Sequence, residues 1–199
     1  MKILLIGSTG LLGQAVKKEL ESEHEIIGAA LEGADVKVDM TKPEQIREMF
    51  ETVGKIDAVI STAGDAPFVP LEELTPELNQ VGIDSKLKGQ INLVLIGMDY
   101  VNDGGSFTLT TGILMDDPIP KGTSSAMANG AITGFVKSAA IELPRGLRIN
   151  SVSPNVFSEA SKDHRDTFQG FEPVSVSQVA KAFRKSVNGK QTGQSYNVY

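Results

Sequence analysis

The sequence contains no cysteine and only two histidines, His24 and His164, which lie far apart in the chain. The absence of cysteine excludes disulfides, thiolate nucleophiles and cysteine-ligated metals. Because histidine is so scarce and so dispersed, we expect neither a zinc site nor a Ser-His-Asp triad. The protein is therefore predicted to hold no metal.

Long apolar runs and clusters of positive charge are also missing. The apolar run near the N-terminus extends only from Ile3 to Ile6, which is shorter than a signal peptide requires. No stretch approaches the roughly 20 apolar residues of a membrane span. The formal net charge is −6, and Lys and Arg form no stripe. These absences disfavour nucleic-acid and membrane partners, and they favour a cytoplasmic protein.

The sequence does contain a regular alternation of two kinds of segment. Short apolar runs, typical of buried parallel strands, alternate with amphipathic segments of helical spacing. Hydrophobic residues make up 40% of the chain, enough for the core of one domain over residues 1–199. The alternation predicts an α/β fold, a doubly wound parallel sheet with helices on both faces. We expect long helices over 75–101 and 124–143, a third strand over 37–40, and a flexible flap over 157–173.

Three glycines, Gly7, Gly10 and Gly13, separate the first predicted strand from the first predicted helix. Glycine permits a tight turn, close approach of the backbone to a pyrophosphate and close packing of helix against strand. The helix N-terminus then offers free N–H groups and a partial positive charge to phosphate. We interpret the loop as a dinucleotide site, and a turn with packing glycines alone is the alternative. The residues predicted to bind the dinucleotide here are Gly7, Ser8, Thr9, Gly10, Leu11, Leu12 and Gly13.

With this loop, the chain resembles the short-chain dehydrogenase/reductase family over nearly its whole length. "STAG", Ser61 to Gly64, stands where the family has Asn-Asn-Ala-Gly, and "GSFTLTTG" matches the strand that ends in the family's catalytic serine. "GAITGFVKSAAIEL" and "RINSVSPN" match two further segments, with Asn155 in place of a glycine. The resemblance implies a Rossmann-like sheet and a nicotinamide dinucleotide. The further cofactor-binding residues it implies are Leu31, Asp39, Met40, Ala63, Gly64, Asn129, Pro154 and Val156.

The resemblance also implies which end of the dinucleotide these residues contact. Asp39 stands where the family has an acidic residue that contacts adenine, and Pro154 and Val156 would lie beside the nicotinamide. The end of the second strand decides between the two cofactors, since an acidic residue there favours NAD and a basic one favours NADP. Leu31 at this position is uncharged, Glu32 is a candidate ribose ligand or a solvated turn residue, and no arginine is nearby. NADP and NAD therefore both stay open.

The family's Tyr-x-x-x-Lys pair is missing from this sequence. The alignment puts Ser125 at the tyrosine, Asn129 at the lysine and Thr111 at the catalytic serine. The asparagine of the family's long helix is replaced near Ser85 and Lys86. This pattern resembles a small atypical branch of the family in which asparagine stands at the lysine position.

These replacements change what the predicted site can do chemically. A serine hydroxyl has a far higher pKa than a phenol near about 10, and Asn129 carries no charge to lower a neighbour's pKa. Ser125 and Asn129 are four residues apart, so they share a helix face, and with Thr111 they can orient a carbonyl. Lys121, just before this helix, is a candidate for a displaced positive charge. The alternative is that Ser124, Ser125 and Asn129 serve only in capping and small-residue packing.

Two functions from different classes stay open. The first is an NAD(P)-dependent oxidoreductase acting on a small carbonyl or alcohol, with Thr111, Ser125 and Asn129 as a non-standard catalytic site. The second is a non-catalytic NAD(P)-binding sensor or regulatory protein. An epimerase or dehydratase fits less well, because such relatives usually keep the tyrosine and are longer. The resemblance further implies a homo-oligomer through the helices around 76–100 and 124–143.

Overall fold

Seven parallel strands form one twisted sheet in the order β3-β2-β1-β4-β5-β6-β7. The computed structural model describes all residues from 1 to 199. The strand order reverses between β1 and β4, which is where open α/β sheets bind their ligands, beyond the carboxyl ends of the strands. The strands are β1 (Lys2–Ile6), β2 (Glu25–Ala30), β3 (Val36–Lys37), β4 (Ile56–Ser61), β5 (Val101–Thr110), β6 (Arg148–Pro154) and β7 (Ser195–Val198).

Helices cover both faces of the sheet, as the doubly wound prediction requires. On one face Phe50, Leu93 and Ile132 belong to a core cluster of 20 buried residues, and on the other Val16 and Phe183 belong to one of 13. The predicted fold class is confirmed. No helix combines the length and apolar character needed to cross a membrane. The helices are α1 (Leu11–Leu20), α2 (Pro43–Val53), α3 (Pro76–Gly82), α4 (Gln90–Gly97), α5 (Thr123–Glu142), α6 (Lys162–Asp166) and α7 (Val176–Asn188).

The long helix predicted over 75–101 is interrupted by a π-helical segment. Residues Ile83–Gly89 form this segment between α3 and α4. The buried Gln90 gives the physical reason, because its side-chain amide donates to the Lys86 carbonyl at 3.1 Å and to the Thr110 carbonyl of β5 at 2.9 Å. A side chain therefore satisfies a carbonyl that a regular α-helix would bond within its own backbone. Such π-helical turns occur frequently at functional sites.

Two other predictions differ from the structure. The third strand ends at Lys37 and not at residue 40, because Asp39 begins a turn in which its carboxylate accepts the Thr41 N–H at 2.9 Å. The segment predicted as a flap, 157–173, contains the short helix α6 and is anchored at Phe168. That side chain is buried with Ile113, Leu114 and Val156 in a small core cluster.

Candidate functional site

Two adjoining cavities open at the carboxyl ends of β1, β4 and β5. The outer cavity, of about 960 Å³, lies between the glycine loop and the segment after β3, from Lys37 to Thr41. The inner cavity, of about 380 Å³, lies between the start of α1, the π-helical segment, α5 and the end of β6. Gly10, Thr62 and Gly64 line both, so the two form one continuous groove.

The glycine loop has the geometry that close approach of a phosphate needs. Gly7 has a φ of +81°, and a Cβ there would lie 2.9 Å from the Ala63 nitrogen. A Cβ on Gly13 would lie 2.0 Å from the Gly7 carbonyl oxygen, so Gly13 packs α1 against the loop. Gly10 is the N-cap of α1, and no side chain caps the helix. The first amides of α1 are thus left for a ligand, and the helix dipole favours an anion there.

Most residues predicted to bind a dinucleotide line this groove. Ser8 is buried and lines neither cavity, and Gly13 packs beneath the loop. The outer cavity is lined by the predicted residues Gly7, Thr9, Gly10, Leu31, Asp39, Met40, Ala63 and Gly64. The inner cavity is lined by the predicted residues Gly10, Leu11, Leu12, Gly64, Asn129, Pro154 and Val156.

Lys37 is a functional candidate that the sequence analysis missed. It is exposed at the end of β3 and lines the outer cavity together with Leu31 and Glu32. The basic residue that favours NADP was expected at the end of the second strand, whereas Lys37 was predicted to lie in the third strand. In the structure Lys37 pairs with Ala30 at the end of the second strand. This pairing would have pointed to Lys37, but it can be read only when the register of the two strands is known.

The three residues predicted to be catalytic, Thr111, Ser125 and Asn129, lie together in the wall of the inner cavity. All three are buried, with exposures of 3%, 7% and 1%. Thr111 donates its hydroxyl to the Val152 carbonyl at 3.3 Å, and Asn129 donates its side-chain amide to the Gly112 carbonyl at 3.2 Å. The Asn129 Oδ1 atom is buried without a partner in the protein. An unpaired buried acceptor at the cavity wall is a position for a ligand hydroxyl.

Aromatic side chains also line the inner cavity. Phe68, from the loop after β4, contacts His164 edge-on at 5.9 Å between ring centroids, and His164 lies 5.3 Å from Phe168. All three line the cavity. The sequence analysis missed His164 and Phe168 because it assigned no structure to residues 157–173, and it missed Phe68 because that residue lies in a loop without a local signal. Phe68 and Phe168 add apolar surface to a cavity that Ser125 and Asn129 of α5 line with polar groups.

Lys86 brings a positive charge to the inner cavity that sequence reasoning also missed. It lies on the π-helical segment, and its side chain packs beside Gly64, where a Cβ would come within 2.9 Å of the Lys86 Cα. Burial is the main influence on its ammonium and lowers the Lys86 pKa to about 8, while nearby Asp65 acts in the opposite direction. The residue as a whole is partly buried, and the loss of hydration at its ammonium disfavours the charged form. Lys121, the charge proposed from sequence, lines a different hollow beside Pro118 and Gly170.

Two further groups lie outside the groove. The Tyr199 hydroxyl bonds Ser153 at 2.8 Å and Asp116 at 2.5 Å within its own chain, and burial raises the pKa of Tyr199 to about 12. Tyr100 stacks on Phe50 with 5.2 Å between the ring centroids, so its role is packing. No three His, Asp or Glu side chains come together as metal ligands.

Comparison with known proteins fixes the family. A family model described as enoyl-(acyl carrier protein) reductase matches residues 9–192, in a chain that carries the glycine loop and the doubly wound sheet. The chain belongs to the short-chain dehydrogenase/reductase family. The absent Tyr-x-x-x-Lys pair is therefore a departure within this family.

Curated relatives are fungal reductases of this family. The hydroxynaphthalene reductase arp2 of Aspergillus fumigatus is 26% identical over 148 residues, which are 71% of this chain and 54% of that protein. The tetrahydroxynaphthalene reductase PfmaG of Pestalotiopsis fici is 27% identical over 125 residues, 60% of this chain and 45% of that protein. The chain spans about half the length of these relatives.

Solved structures match the whole chain. The protein lin1944 from Listeria innocua is 60% identical with a TM-score of 0.99, and the match covers 100% of both chains. A small-chain dehydrogenase in complex with NADPH is 26% identical with a TM-score of 0.89, covering 100% of this chain and 96% of the other.

The groove fits the dinucleotide that the short-chain dehydrogenase/reductase family implies. The glycine loop leaves room for a pyrophosphate because a Cβ on Gly10 would meet only the Gly7 carbonyl oxygen, at 3.4 Å. The unpaired Asn129 Oδ1 can accept a hydrogen bond from a ribose hydroxyl near the nicotinamide. Asp39 lines the outer cavity and Pro154 the inner one, and these are the residues that the resemblance implies for the adenine and the nicotinamide.

Proposed function

We propose that this chain is an NADPH-dependent oxidoreductase that reduces a small carbonyl compound through a non-standard catalytic site. The observation that carries the proposal is the continuous groove from the glycine loop to the buried Thr111, Ser125 and Asn129. When bound, the cofactor supplies a hydride to the carbonyl carbon. The protein's residues bind, orient and shield the reacting groups.

Binding and orientation account for the first part of this function. The amides at the start of α1 hold the pyrophosphate, and Asp39 lies beside the adenine. Asn129 accepts a ribose hydroxyl at Oδ1, and Pro154 and Val156 support one face of the nicotinamide. Holding the two reactants in a fixed geometry accelerates a transfer on its own, because it removes the entropy cost of their encounter.

The inner cavity indicates the class of substrate. The Ser125 hydroxyl can donate to a carbonyl oxygen, and the Thr111 hydroxyl can do so by rotating away from its 3.3 Å bond to the Val152 carbonyl. The aromatic side chains of Phe68 and Phe168 suit a flat, apolar body. The names of the curated relatives, which are hydroxynaphthalene reductases, support a cyclic or aromatic carbonyl. We therefore propose a small ring ketone or quinone as the substrate class.

NADPH is proposed over NADH because of Lys37 and a structural neighbour. Lys37 is an exposed cation at the edge of the outer cavity, where the 2′-phosphate of NADPH would need a basic partner. The small-chain dehydrogenase that matches the whole chain was solved with NADPH. Glu32 lines the same edge and opposes the phosphate, so Lys37 is the residue on which this preference rests.

The test is calorimetric titration of the purified protein with NADPH, NADP⁺, NADH and NAD⁺, followed by a panel of carbonyl compounds. Phenanthrenequinone, naphthoquinone, cyclohexanone and benzaldehyde cover ring ketones, quinones and an open aldehyde. We expect micromolar binding of NADPH and loss of NADPH absorbance with at least one ring carbonyl. If no dinucleotide binds at millimolar concentration, the proposal is wrong.

A second function, a non-catalytic NAD(P)-binding protein, is favoured by one observation. Ser125 and Asn129 at the positions of the family's acid and its lysine provide neither a phenol nor a charge. This alternative predicts tight NADPH binding without NADPH consumption by any carbonyl in the panel. A cytoplasmic location and a single domain over 1–199 stay predictions under either function.

A further inference from the structure

Lys86 is the one partly buried titratable side chain that lines the inner cavity. Two titratable residues, Lys86 and His164, contribute to the cavity wall. His164 lies on the exposed short helix α6 and contacts Phe68 and Phe168 through its ring. Lys86 lies on the π-helical segment, which packs against α5. The lysine therefore enters the cavity from the helix that faces Ser125 and Asn129.

The local backbone holds this lysine in place. The Gln90 side chain binds the Lys86 carbonyl at 3.1 Å and also accepts the Thr110 N–H at 2.8 Å, so the π-helical segment is fixed to β5. Gly64 leaves room for Lys86, because a Cβ at residue 64 would lie 2.9 Å from the Lys86 Cα. No carboxylate forms a salt bridge with the Lys86 ammonium, since the four salt bridges of the structure all lie elsewhere.

The charged groups around Lys86 are few. Asp65, in the loop after β4, is the carboxylate that acts on it, and His164 of α6 is the other titratable residue of the cavity. On its own segment Asp84 is engaged with Lys88 at 2.9 Å. The part of α5 that lines the cavity contributes the uncharged Ser125 and Asn129. Desolvation therefore dominates and places the pKa of Lys86 at about 8, close to working pH for a general acid.

We propose that Lys86 is the proton donor to the substrate oxygen, replacing the absent tyrosine and lysine of the family from a different helix. The proposal rests on the proposed carbonyl reduction. Ser125 cannot serve as a comparable acid because an alcohol holds its proton too tightly, and Asn129 has no ionisable proton. An ammonium provides both functions of the missing pair, a positive charge for the developing oxyanion and a transferable proton.

The step balances in electrons and protons. Hydride from the dihydronicotinamide forms a C–H bond at the carbonyl carbon, and the electron pair of the C=O π bond moves to oxygen. One N–H bond of the Lys86 ammonium breaks, and its proton forms the O–H bond of the alcohol. The carbonyl is reduced by two electrons and the dihydronicotinamide is oxidised by two. Lys86, left as a neutral amine, regains a proton from water through the open groove.

The first test titrates Lys86 directly in the protein without cofactor. Trace acetylation by acetic anhydride is measured from pH 6 to 11, with peptide mass spectrometry reporting the modification of Lys86. We expect its labelling to have a midpoint near pH 8 and to be suppressed at least tenfold by saturating NADPH. A midpoint near the ordinary lysine value of about 10.4, or labelling that NADPH leaves unchanged, would overturn the proposal.

The second test separates charge from proton donation through Lys86→Gln, Lys86→Arg and the control Lys88→Gln. Lys86→Gln should lower kcat by about 100-fold or more, with the Kd for NADPH changed less than about threefold. Lys86→Arg keeps the charge but holds its proton too strongly, so it should not restore kcat. The wild-type kcat should fall as pH rises through about 8, and that inflection should disappear in both Lys86 variants.

The outcomes distinguish this proposal from the proposed function. If wild type consumes NADPH with a carbonyl of the panel and Lys86→Gln matches its kcat and pH profile, only the role of Lys86 is wrong. If wild type binds NADPH yet consumes none with any carbonyl, the reductase function and the role of Lys86 fail together. A normal kcat in Lys86→Arg would reduce Lys86 to an electrostatic role and contradict proton donation.

Discussion

The side chain of Asn129 is anchored to Gly112 on one side and unpaired on the other. Its amide nitrogen donates to the Gly112 carbonyl at 3.2 Å, while its buried Oδ1 has no partner in the protein. The hydrogen bond fixes the amide plane, so Oδ1 is held in one orientation on a residue that lines the inner cavity. A buried acceptor left open in this way carries a desolvation cost that a ligand hydroxyl would relieve.

Replacement of Asn129 by leucine should therefore weaken cofactor binding. We expect the Kd for NADPH to rise about 5- to 10-fold, which corresponds to the loss of one hydrogen bond of about 1 kcal/mol. The measurement is calorimetric titration, with Ser124→Ala as the control. Ser124 also has an unpaired buried hydroxyl on α5 but does not line the cavity. Equal weakening in both variants would indicate a general effect on the helix.

Two glycines of the loop provide variants that distinguish an effect on the stability of the fold from an effect on NADPH binding. A Cβ on Gly13 would lie 2.0 Å from the Gly7 carbonyl oxygen, whereas a Cβ on Gly10 would lie 3.4 Å from the same atom. Gly13→Ala should destabilise the fold by about 1–3 kcal/mol or more through overpacking against backbone. Gly10→Ala should leave the melting temperature nearly unchanged and lower NADPH affinity about tenfold or more, because its methyl group occupies the phosphate position.

Thermal unfolding and calorimetry together test this pair of glycines. Gly130→Ala is the matched control, since no atom lies within 4 Å of the added Cβ and the position is inside α5. It should raise stability by up to about 1 kcal/mol through helix propensity, without any effect on binding. If Gly10→Ala binds NADPH as tightly as wild type, the loop does not hold the pyrophosphate.

Lys37 should determine the preference for NADPH. Lys37→Glu is expected to raise the Kd for NADPH about tenfold or more, through loss of a charge-assisted contact to the 2′-phosphate, and to leave the Kd for NADH within about twofold. Lys18→Glu, at an exposed position on α1 outside the cavities, controls for the change in net charge. Equal effects on both dinucleotides would place Lys37 outside the phosphate site.

The sequence predicted the sheet, the helices and the glycine loop from local signals, while the rest of the groove came from the family resemblance. Apolar runs, a Thr75 cap with Pro76 and three glycines at fixed spacing are each readable without knowing the contacts. The Thr75 hydroxyl does accept the Leu78 N–H at 3.2 Å, as a capping residue should. The family resemblance, and not a local signal, assigned Thr111, Ser125 and Asn129 to a single site, and all three line the inner cavity.

The roles of Lys86 and Lys37 were not predictable in the same way. The helical pattern around Lys86 is continuous, and the π-helical segment depends on Gln90 contacting Thr110 across the fold. Lys37 enters the outer cavity because the register of β2 and β3 puts it opposite Ala30. Both features depend on tertiary contacts, which local sequence patterns do not reveal.

The predicted homo-oligomer through the helices around 76–100 and 124–143 has a specific surface to test. Leu95 on α4 is 52% exposed and lines a hollow between α4 and α5 together with Phe135. We expect light scattering to show a dimer or larger species at micromolar concentration and Leu95→Asp to shift it to monomer. Leu71→Asp, at a leucine 70% exposed outside these helices, should leave the mass unchanged. A monomeric wild type would contradict the prediction.

The buried ammonium of Lys86 should make the stability of the fold depend on pH. Below about pH 8 both the folded and the unfolded chain hold this proton, so the folded state bears the full cost of the buried charge. Between about 8 and the ordinary lysine value of 10.5 only the unfolded chain keeps the proton, and wild-type stability gains from this residue as pH rises. At pH 7 the cost is at most about 3.5 kcal/mol, from about 1.4 kcal/mol for each of the roughly 2.5 pH units between 8 and 10.5.

Lys86→Met removes that charge and keeps a flexible apolar chain of similar length, so it should be more stable than wild type at pH 7. The expected gain is about 2–3 kcal/mol, seen as a rise in melting temperature of roughly 4–10 °C for a domain of this size. The gain should shrink steadily between pH 8 and pH 10, while Lys88→Met, at an exposed surface pair with Asp84, should change stability by less than about 1 kcal/mol. A Lys86→Met variant whose melting temperature follows that of wild type at every pH would show that the ammonium is hydrated, and it would remove the physical basis for a lowered pKa in the cavity.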